Sequence, residues 1–358
     1  MIWKTTINME PKKLNEISWQ VSEEEYRADP ALSYSTLARY EREGFNNLDK
    51  LFDRIESPSL TFGSAVDVLM TGSEEEFNSQ FMIAELTTPP SDTLVTIVKR
   101  IFDNFYLEYR SIIDIPDDVL LNSIEDIQWN NHWLPKTRAK KIKDDCAGYY
   151  SLLYLAEGKT IISSATYRDV INTVDALRTS DATKFFFEPN NIFDTTIERY
   201  YQLKFKATFD DVDYRIMADL IVVDHKNKLI IPVDLKTSSK YEWDFYKSFL
   251  DWHYFTQARL YWRVIRDNLD KDPYFKDFTL LDYKFIVVNK RTLIPLVWTF
   301  SSTQKYGELH LGKNQQIVIR DPFTIGKELY TYLKEKPLIP NGIKMTKPNK
   351  LEEWINTL

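Results

Sequence analysis

Residues 213–224, DYRIMADLIVVD, and residues 228–237, KLIIPVDLKT, form the part of the sequence that decides the fold. Both are rich in β-branched and aromatic residues, and a turn-like run, DHKNK, joins them, so they predict two consecutive antiparallel strands. Pro232 lies inside the second stretch. It either weakens that prediction or occupies a place where its missing N–H does no harm. A similar stretch at 197–209, IERYYQLKFKATF, predicts a strand before these two.

A helix and two further strands complete the predicted core. Apolar residues recur at roughly helical spacing between Phe249 and Val264, so we expect one long amphipathic helix there. The segments YKFIVVN at 283–289 and IPLVWTF at 294–300 then predict strands that extend the sheet. The order strand, strand, strand, helix, strand indicates an α/β fold.

The remaining sequence predicts how the chain is organised. Residues 1–30 look irregular, and residues 31–320 predict one elaborated domain with a mostly helical insertion at about 85–185. Residues 321–358 predict a helix followed by a tail that contains proline and lysine. The sequence has no internal repeats and only nine glycines, so we expect no long flexible linker.

Composition sets limits on the class of protein. The 358 residues are 43% hydrophobic and 14% aromatic, which is enough for a substantial core. No stretch approaches the roughly 18 apolar residues of a membrane span, and no signal peptide is evident, so we expect an intracellular protein without membrane contact. Cys146 is the only cysteine, which excludes an internal disulfide and a cysteine-rich metal cluster. The net charge of −7 argues against a uniformly basic surface but leaves room for a basic groove.

Two acidic residues and a lysine fall on neighbouring predicted strands. Asp219 lies in the middle of one strand, and Asp234 and Lys236 lie on the next, two positions apart and therefore on one face. Their neighbours are apolar, and a buried carboxylate is costly without a metal or a charged partner. The pattern therefore predicts a site for a hard metal ion such as Mg²⁺. The alternative is a buried Asp–Lys ion pair at a strand end.

The helix after these strands carries two polar residues on one face. Gln257 and Tyr261 are four positions apart, which places them side by side. Such residues are ordinary on an amphipathic helix, and their position directly after the Asp-x-Lys strand is what draws attention to them.

Taken in order, these residues resemble a known family. Asp219, then Asp234-Leu235-Lys236, then Gln257-Ala-Arg-Leu-Tyr261 is similar to the pattern of the RecB-like branch of PD-(D/E)XK nucleases. Upstream, Ser33-Tyr-Ser-Thr-Leu37, Gly63-Ser-Ala-Val-Asp67 and Glu157-Gly-Lys-Thr-Ile-Ile162 resemble segments of the exonuclease VIII (RecE-type) group of phage exonucleases. The similarity extends over roughly residues 30–300.

The resemblance implies a fold and an activity. It implies a PD-(D/E)XK core, with a central mixed sheet flanked by helices and a helical N-terminal elaboration. It also implies Mg²⁺ or Mn²⁺ dependence and exonucleolytic digestion of linear double-stranded DNA in phage-type recombination. The implied location is the cytoplasm of a bacterial or phage-infected cell. The implied partners are DNA, further copies of the chain in a ring, and a single-strand annealing protein.

The resemblance also implies roles for particular residues. Asp219, Asp234 and the Leu235 backbone carbonyl would bind the metal, and Lys236 would orient or activate the attacking water. Gln257 and Tyr261 would position the phosphate or Lys236.

Two further acidic residues are implied ligands. Asp67 stands where the family has a histidine and suits a hard cation, and Glu198 corresponds to an additional acidic group near the metals. A solvent-facing glutamate on an edge strand is the alternative for Glu198, and a helix cap or a surface ion pair is the alternative for Asp67. With a single cysteine, the chain does not match the related nucleases that carry an iron–sulfur cluster.

Basic residues supply candidates for DNA contact. Lys240 and Lys247 follow the Asp-x-Lys strand, and Arg138 and Lys140 belong to a basic run in the helical region. Such runs are also typical of solvated helix faces. A second hypothesis for the whole chain is therefore a nuclease-derived protein that binds DNA or another protein without cutting.

Overall fold

The stretches rich in β-branched and aromatic residues form strands at the predicted places. A computed structural model describes residues 11–44, 51–52, 57–85, 90–301, 307–312 and 315–335. The strands within these ranges are β1 (Phe81–Ile83), β2 (Thr160–Ile162), β3 (Ile197–Phe209), β4 (Val212–Asp224), β5 (Leu229–Ser238), β6 (Thr279–Leu280), β7 (Tyr283–Asn289), β8 (Leu296–Phe300), β9 (Gly307–Gly312) and β10 (Gln315–Ile319).

Helices occupy much of the remaining described sequence. The α-helices are α1 (Glu23–Ala28), α2 (Tyr34–Glu43), α3 (Pro58–Thr71), α4 (Glu74–Gln80), α5 (Asp92–Phe105), α6 (Asp117–Asn122), α7 (Pro135–Ala156), α8 (Ser164–Thr179), α9 (Lys184–Phe187), α10 (Phe245–Asp251), α11 (Tyr254–Asp270) and α12 (Pro322–Glu335). Ser33 caps the start of α2, because its hydroxyl accepts the N–H of Thr36. Short 3₁₀ helices lie at Leu14–Ile17, Ile112–Asp114, Glu125–Ile127, Glu242–Asp244 and Phe275–Asp277.

The central sheet is mixed. Its strands lie in the order β3-β4-β5-β7-β8, and β6 pairs with the start of β5. The first three strands are antiparallel neighbours, as predicted, whereas β5 and β7 are parallel. Parallel neighbours need a crossover connection, which here contains α10 and α11. Pro232 lies between the part of β5 that pairs with β6 and the part that pairs with β7, and prolines inside sheets occupy such interruptions.

The prediction of a single long helix between Phe249 and Val264 is wrong, because the structure has two helices there. α10 ends at Asp251 and α11 begins at Tyr254. His253 between them adopts a left-handed conformation with φ 56°, which no helix can continue through. The periodic apolar residues conceal this break because the sequence has no glycine or proline at it.

The core around the sheet is built from large apolar side chains. Ala258, Val264 and Ile265 of α11 are fully buried and belong to the same apolar cluster as Phe205 of β3 and Phe285 of β7. Burial of a large apolar side chain contributes about 1.5–3 kcal/mol, so this cluster fixes α11 against the strands. The face of α11 that carries Gln257 and Tyr261 is thereby held in one place.

The chain divides into two compact units, where the sequence predicts one elaborated domain. The sheet-bearing unit comprises residues 1–59 and 175–358, and the helical unit comprises Leu60–Val174. The helical unit therefore begins earlier and ends earlier than the predicted insertion at about 85–185. The predicted C-terminal helix is present as α12 in the sheet-bearing unit, and the tail after it lies outside the described residues.

The helical unit has an apolar core of its own. Side chains of α5, α6 and α7 meet in it, among them Ile97, Leu120 and Ile142, which are fully buried. The short parallel pair of β1 and β2 lies in the same unit. Cys146 is buried in this core, and burial raises the pKa of its thiol to about 12. Cys146 is thus a core residue rather than a reactive thiol.

No helix in the described parts of the chain is both long enough and apolar enough to cross a membrane.

Candidate active site

The site begins where β4 and β5 stop pairing through their backbones. The ladder between these strands ends at Leu220 and Val233. At the next residue of β4, a side chain replaces the backbone as the hydrogen-bond partner of β5, because Asp219 Oδ2 accepts the N–H of Leu235 at 3.0 Å. The N–H and C=O of one residue in an extended strand point to the same edge, so the Leu235 carbonyl also faces the β4 edge. The Asp219 carboxylate and this carbonyl therefore converge beside β5.

Asp234 and Lys236 project from β5 next to Asp219. Asp234 is only 1% exposed, and its Oδ2 lies 2.7 Å from Lys236 Nζ, whose side chain is 20% exposed. Gln257 of α11 is also buried, and its Nε2 donates to Asp234 Oδ1. We call Asp219, Asp234, Lys236 and Gln257 the carboxylate centre. The structure thus brings together four of the residues that the sequence singles out. Two of them, Asp234 and Lys236, form the buried ion pair that the alternative interpretation of the sequence also predicts.

The electrostatics of the carboxylate centre follow from its burial. Burial raises the pKa of Asp234, and the opposing effects of Lys236, Gln257 and Asp219 do not fully offset it. Burial alone would lower the pKa of Lys236, but the charges of Asp234 and Asp219 raise it, so this lysine stays protonated. Two carboxylates thus share a single lysine charge. An additional cation would be favoured here.

Several buried polar atoms of this region have no hydrogen-bond partner among the described residues. Gln257 Oε1 and Tyr283 Oη are two of them. Asp234 Oδ2 differs from these two atoms, because the Lys236 ammonium group lies 2.7 Å from it and pairs with its charge. The pKa of Tyr283 is raised by burial and then by the charge of Asp234, so this hydroxyl is close to the carboxylate. Buried polar atoms are usually satisfied, so Gln257 Oε1 and Tyr283 Oη leave hydrogen-bonding capacity for a ligand or water.

Aromatic residues that the sequence analysis did not assign surround Lys236. The Tyr254 ring lies 4.8 Å from Lys236 Nζ, and the Tyr34 ring lies 6.1 Å from the Tyr254 ring. Tyr254 precedes Gln257 by three residues and so shares its helix face, which is a signal that the sequence does contain. Tyr34 belongs to the Ser33–Leu37 segment, but nothing in the sequence places that segment beside β5.

Tyr261 lies close to the same carboxylates. It is buried, and its ring meets that of Tyr283 edge to face at 6.0 Å. Burial raises the pKa of Tyr261 well above its usual value, and the charges of Asp234 and Asp219 add to the effect. Tyr261 is therefore a neutral phenol near the two carboxylates.

Glu198 does not join the carboxylate centre. It pairs with Val223 on β4, four residues from Asp219, which corresponds to about 13 Å along the strand. Its Oε2 instead accepts the Tyr200 hydroxyl and lies 2.9 Å from His225 Nε2, while His225 Nδ1 lies 3.1 Å from Tyr274 Oη. The sequence shows that Glu198 is on a strand but does not show how far along it. The implied place of Glu198 among the metal ligands is therefore corrected.

Two of the four basic residues proposed for DNA contact are ion-paired. Lys240 Nζ lies 2.7 Å from Asp251, and Lys247 Nζ lies 2.9 Å from Asp244, both in the sheet-bearing unit. Arg138 and Lys140 are on α7 of the helical unit, where Lys140 is exposed and Arg138 is partly buried. Contact of any of them with DNA stays a prediction.

Asp67 is on α3 in the helical unit, where it is partly buried. Its role as a metal ligand stays a prediction. In the described ranges, no group of three or more His, Cys, Asp or Glu side chains is placed to hold a metal ion. Within the carboxylate centre, the donors that could hold one are the two carboxylates of Asp219 and Asp234 and the Leu235 carbonyl. They are all oxygen atoms, as Mg²⁺ prefers, and Mg²⁺ commonly retains water in its remaining positions.

Comparison with known proteins adds little to this geometry. No family model matches the chain, and no curated protein matches it in sequence. Among solved structures, a candidate exonuclease from Eubacterium rectale aligns with 89% of this chain and 87% of its own, at 12% identity and a TM-score of 0.41. A TM-score of this size does not establish a common fold.

Proposed function

We propose that this protein is a metal-dependent phosphodiesterase of the PD-(D/E)XK nuclease superfamily. More specifically, we propose a Mg²⁺-dependent deoxyribonuclease that digests linear double-stranded DNA from its ends. The observation that carries the proposal is the carboxylate centre itself, in which two acidic side chains and a lysine meet at the point where β4 and β5 separate.

The donor set of the carboxylate centre is suited to Mg²⁺. Asp219, Asp234 and the Leu235 carbonyl would hold the ion, and Mn²⁺ accepts the same oxygen ligands. The two carboxylates beside a single lysine, together with the Gln257 oxygen that has no donor within the described residues, favour a cation at this place. When bound, such an ion stabilises negative charge on the scissile phosphate and lowers the pKa of a coordinated water.

Lys236 is suited to the reaction itself. Its ammonium group is protonated and held by Asp234 on one side and by the Tyr254 ring on another. A fixed cation beside the metal ligands would orient the attacking water and stabilise the charge that develops on the phosphate. Such a group contributes to turnover more than to overall DNA affinity.

Gln257 and the tyrosines would position the reacting groups. Gln257 Nε2 fixes Asp234 Oδ1, which leaves Gln257 Oε1 available to a water molecule. Tyr283 Oη, a buried hydroxyl without an acceptor in the described residues, is available to donate to a phosphate oxygen or water. Tyr261 remains a neutral phenol beside them, so it would support Tyr283 and Gln257 rather than carry charge.

The proposal is tested by digestion of DNA of defined topology. Linear and covalently closed circular duplexes of the same sequence are incubated with the protein in Mg²⁺, in Mn²⁺ and in EDTA. We expect loss of the linear substrate alone, and only with metal present. Cleavage of the circle would change the proposal to an endonuclease. Failure to cut either substrate with either metal would contradict it and favour a nuclease-derived binding protein.

We also propose that Asp67 contributes to metal binding in place of the family's histidine. Asp67→Ala should then raise the Mg²⁺ concentration needed for half-maximal activity by about tenfold or more, as expected for loss of a residue that supports a metal. Asp67→His should shift the preference toward Mn²⁺, because imidazole is a softer ligand than carboxylate. Unchanged metal dependence in Asp67→Ala would remove Asp67 from the site.

A further inference from the structure

A half-exposed tryptophan lies at the break between α10 and α11. Trp252 follows α10 directly, where the chain leaves one helix before entering the next, and it is 50% exposed. Its backbone is fixed, because Tyr34 Oη donates to the Trp252 carbonyl at 2.6 Å and the Trp252 N–H donates to Ser248 at 3.0 Å. A large apolar ring is thus held at the surface on a rigid support.

A cation accompanies this ring. The Arg42 guanidinium lies 5.1 Å from the centre of the Trp252 indole, and Arg42 itself is exposed. The same charge contributes to lowering the pKa of His253, after the larger effect of burial, so Arg42 stays close to the break between α10 and α11. A guanidinium over an indole is favourable by itself and leaves its N–H groups free to bind an anion in addition.

The ring and its cation are connected to the candidate active site by direct contacts. Tyr34, which holds the Trp252 backbone, also lies against Tyr254, and Tyr254 lies over Lys236 Nζ. All of these residues belong to the sheet-bearing unit. Three successive contacts therefore lead from the proposed catalytic lysine to Trp252.

We infer that Trp252 and Arg42 form a stacking site for an unpaired base at the end of the DNA substrate, an inference that rests on the proposed function. An exposed aromatic face binds any base by stacking, and a neighbouring arginine binds the phosphate that accompanies it. Bases inside a duplex have both faces covered, so the ligand of this site is a nucleotide freed from pairing. The site would hold the end of a strand while the adjacent phosphodiester lies at the carboxylate centre.

The chain offers a matched control for Trp252. Trp243 is 55% exposed in the same unit, but its ring stacks on the Tyr241 ring at 4.6 Å. Replacement of either tryptophan removes a similar exposed surface. A difference between the two variants therefore reports on the Trp252 site and not on exposed tryptophans in general.

The test measures binding without cleavage. Fluorescence anisotropy in EDTA compares a blunt duplex, a duplex with a short single-stranded overhang, and the same overhang without its bases, with 5′ and 3′ overhangs tested separately. For the wild-type protein and Trp243→Ala, we expect the overhang with bases to bind more tightly than the abasic one by about fivefold or more. Trp252→Ala should lose this preference, and Trp252→Phe should keep most of it.

The outcomes separate this inference from the proposed function. A wild-type protein that cuts linear DNA but binds both overhangs equally would overturn the stacking site alone. The same conclusion would follow if Trp252→Ala kept the preference, or if Trp243→Ala lost it to the same extent. A wild-type protein that neither binds nor cuts DNA would overturn both.

Discussion

Two polar clusters lie on different stretches of the same sheet, and they differ in how many of their buried polar atoms have hydrogen-bond partners. In the cluster of Glu198, Tyr200, His225 and Tyr274, both ring nitrogens of the histidine have partners, and Glu198 accepts from a tyrosine as well. In the carboxylate centre, Gln257 Oε1 has no hydrogen-bond donor within the described residues, and the carboxylates of Asp219 and Asp234 lie beside a single lysine. The first cluster is complete by itself, whereas the second has capacity for a further ligand.

This difference indicates which acidic residues carry chemistry. A self-satisfied cluster stabilises the fold, because each buried polar group already has its partner. A cluster with buried acceptors left over costs stability unless a ligand binds, which is typical of functional sites. Residue type alone does not make this distinction, since Glu198 and Asp219 are both strand carboxylates.

The largest effect is expected from Asp219→Asn. The amide can still accept the Leu235 N–H, so the fold should persist, but the metal site loses a negative charge. We expect cleavage of linear duplex DNA to fall on the order of a thousandfold or more, because a bound metal supplies several kcal/mol of transition-state stabilisation. Single-turnover cleavage measures the loss, and circular dichroism checks the fold. Activity near that of the wild type would remove Asp219 from the site.

Lys236→Gln should produce the next largest effect, and it should be selective. Turnover should fall by about a hundredfold, as for loss of one fixed charge-stabilising donor, while DNA affinity in EDTA should change little. Lys206→Gln is the control, since this lysine of β3 is also ion-paired, with Asp29 at 2.9 Å, and its side chain is 32% exposed. We expect Lys206→Gln to leave turnover unchanged. Equal losses of turnover and affinity in Lys236→Gln would make Lys236 a binding residue only.

Much of the fold could be predicted from the sequence. The bounds of β3 and β7 agree with the prediction, because each is an unbroken run of strand-forming residues between clear turn residues. The break at His253 could not be predicted, since a left-handed histidine depends on its tertiary surroundings. The parallel pairing of β5 with β7 and the limits of the helical unit are likewise set by packing.

The residues of the candidate site could be predicted only where they lie close to one another in the sequence. Asp234 and Lys236 are two apart on one strand, and Gln257 is on the next long helix, so local spacing already groups them. Tyr34 and Tyr283 are distant in sequence and come near only through the fold. Glu198 was predicted to join the site but lies away from it. The assignment of residues to strands does not show which residues of neighbouring strands lie opposite each other.

Mg²⁺ should stabilise the carboxylate centre and leave the Glu198–His225 cluster unaffected. At a Mg²⁺ concentration tenfold above its dissociation constant, the free energy of unfolding should rise by about 1.4 kcal/mol. Thermal melting with and without Mg²⁺ measures the effect in the wild type, Asp234→Asn and Glu198→Gln. Asp234→Asn should show no increase. An equal increase in all three proteins would place the bound ion elsewhere.

Glu198→Gln should have the smallest effect, and it should act on stability alone. Loss of the charged acceptor for His225 should lower the free energy of unfolding by about 1 kcal/mol, because the hydrogen bonds remain in weaker, neutral form. Urea unfolding followed by tryptophan fluorescence measures this change. Unaltered stability would show that the cluster does not support the fold as argued.

The most direct test of the account is one Mg²⁺ titration of linear-duplex cleavage by three proteins in parallel: the wild type, Asp234→Asn and Glu198→Gln. Both substitutions replace a buried or nearly buried carboxylate of the same sheet by its amide, so the two variants differ in the position of the change and not in its chemistry. We expect the wild type and Glu198→Gln to cleave with the same Mg²⁺ dependence, and Asp234→Asn to cleave about a thousandfold more slowly at every Mg²⁺ concentration. Cleavage by Asp234→Asn at the wild-type rate, or loss of cleavage in Glu198→Gln instead, would contradict it.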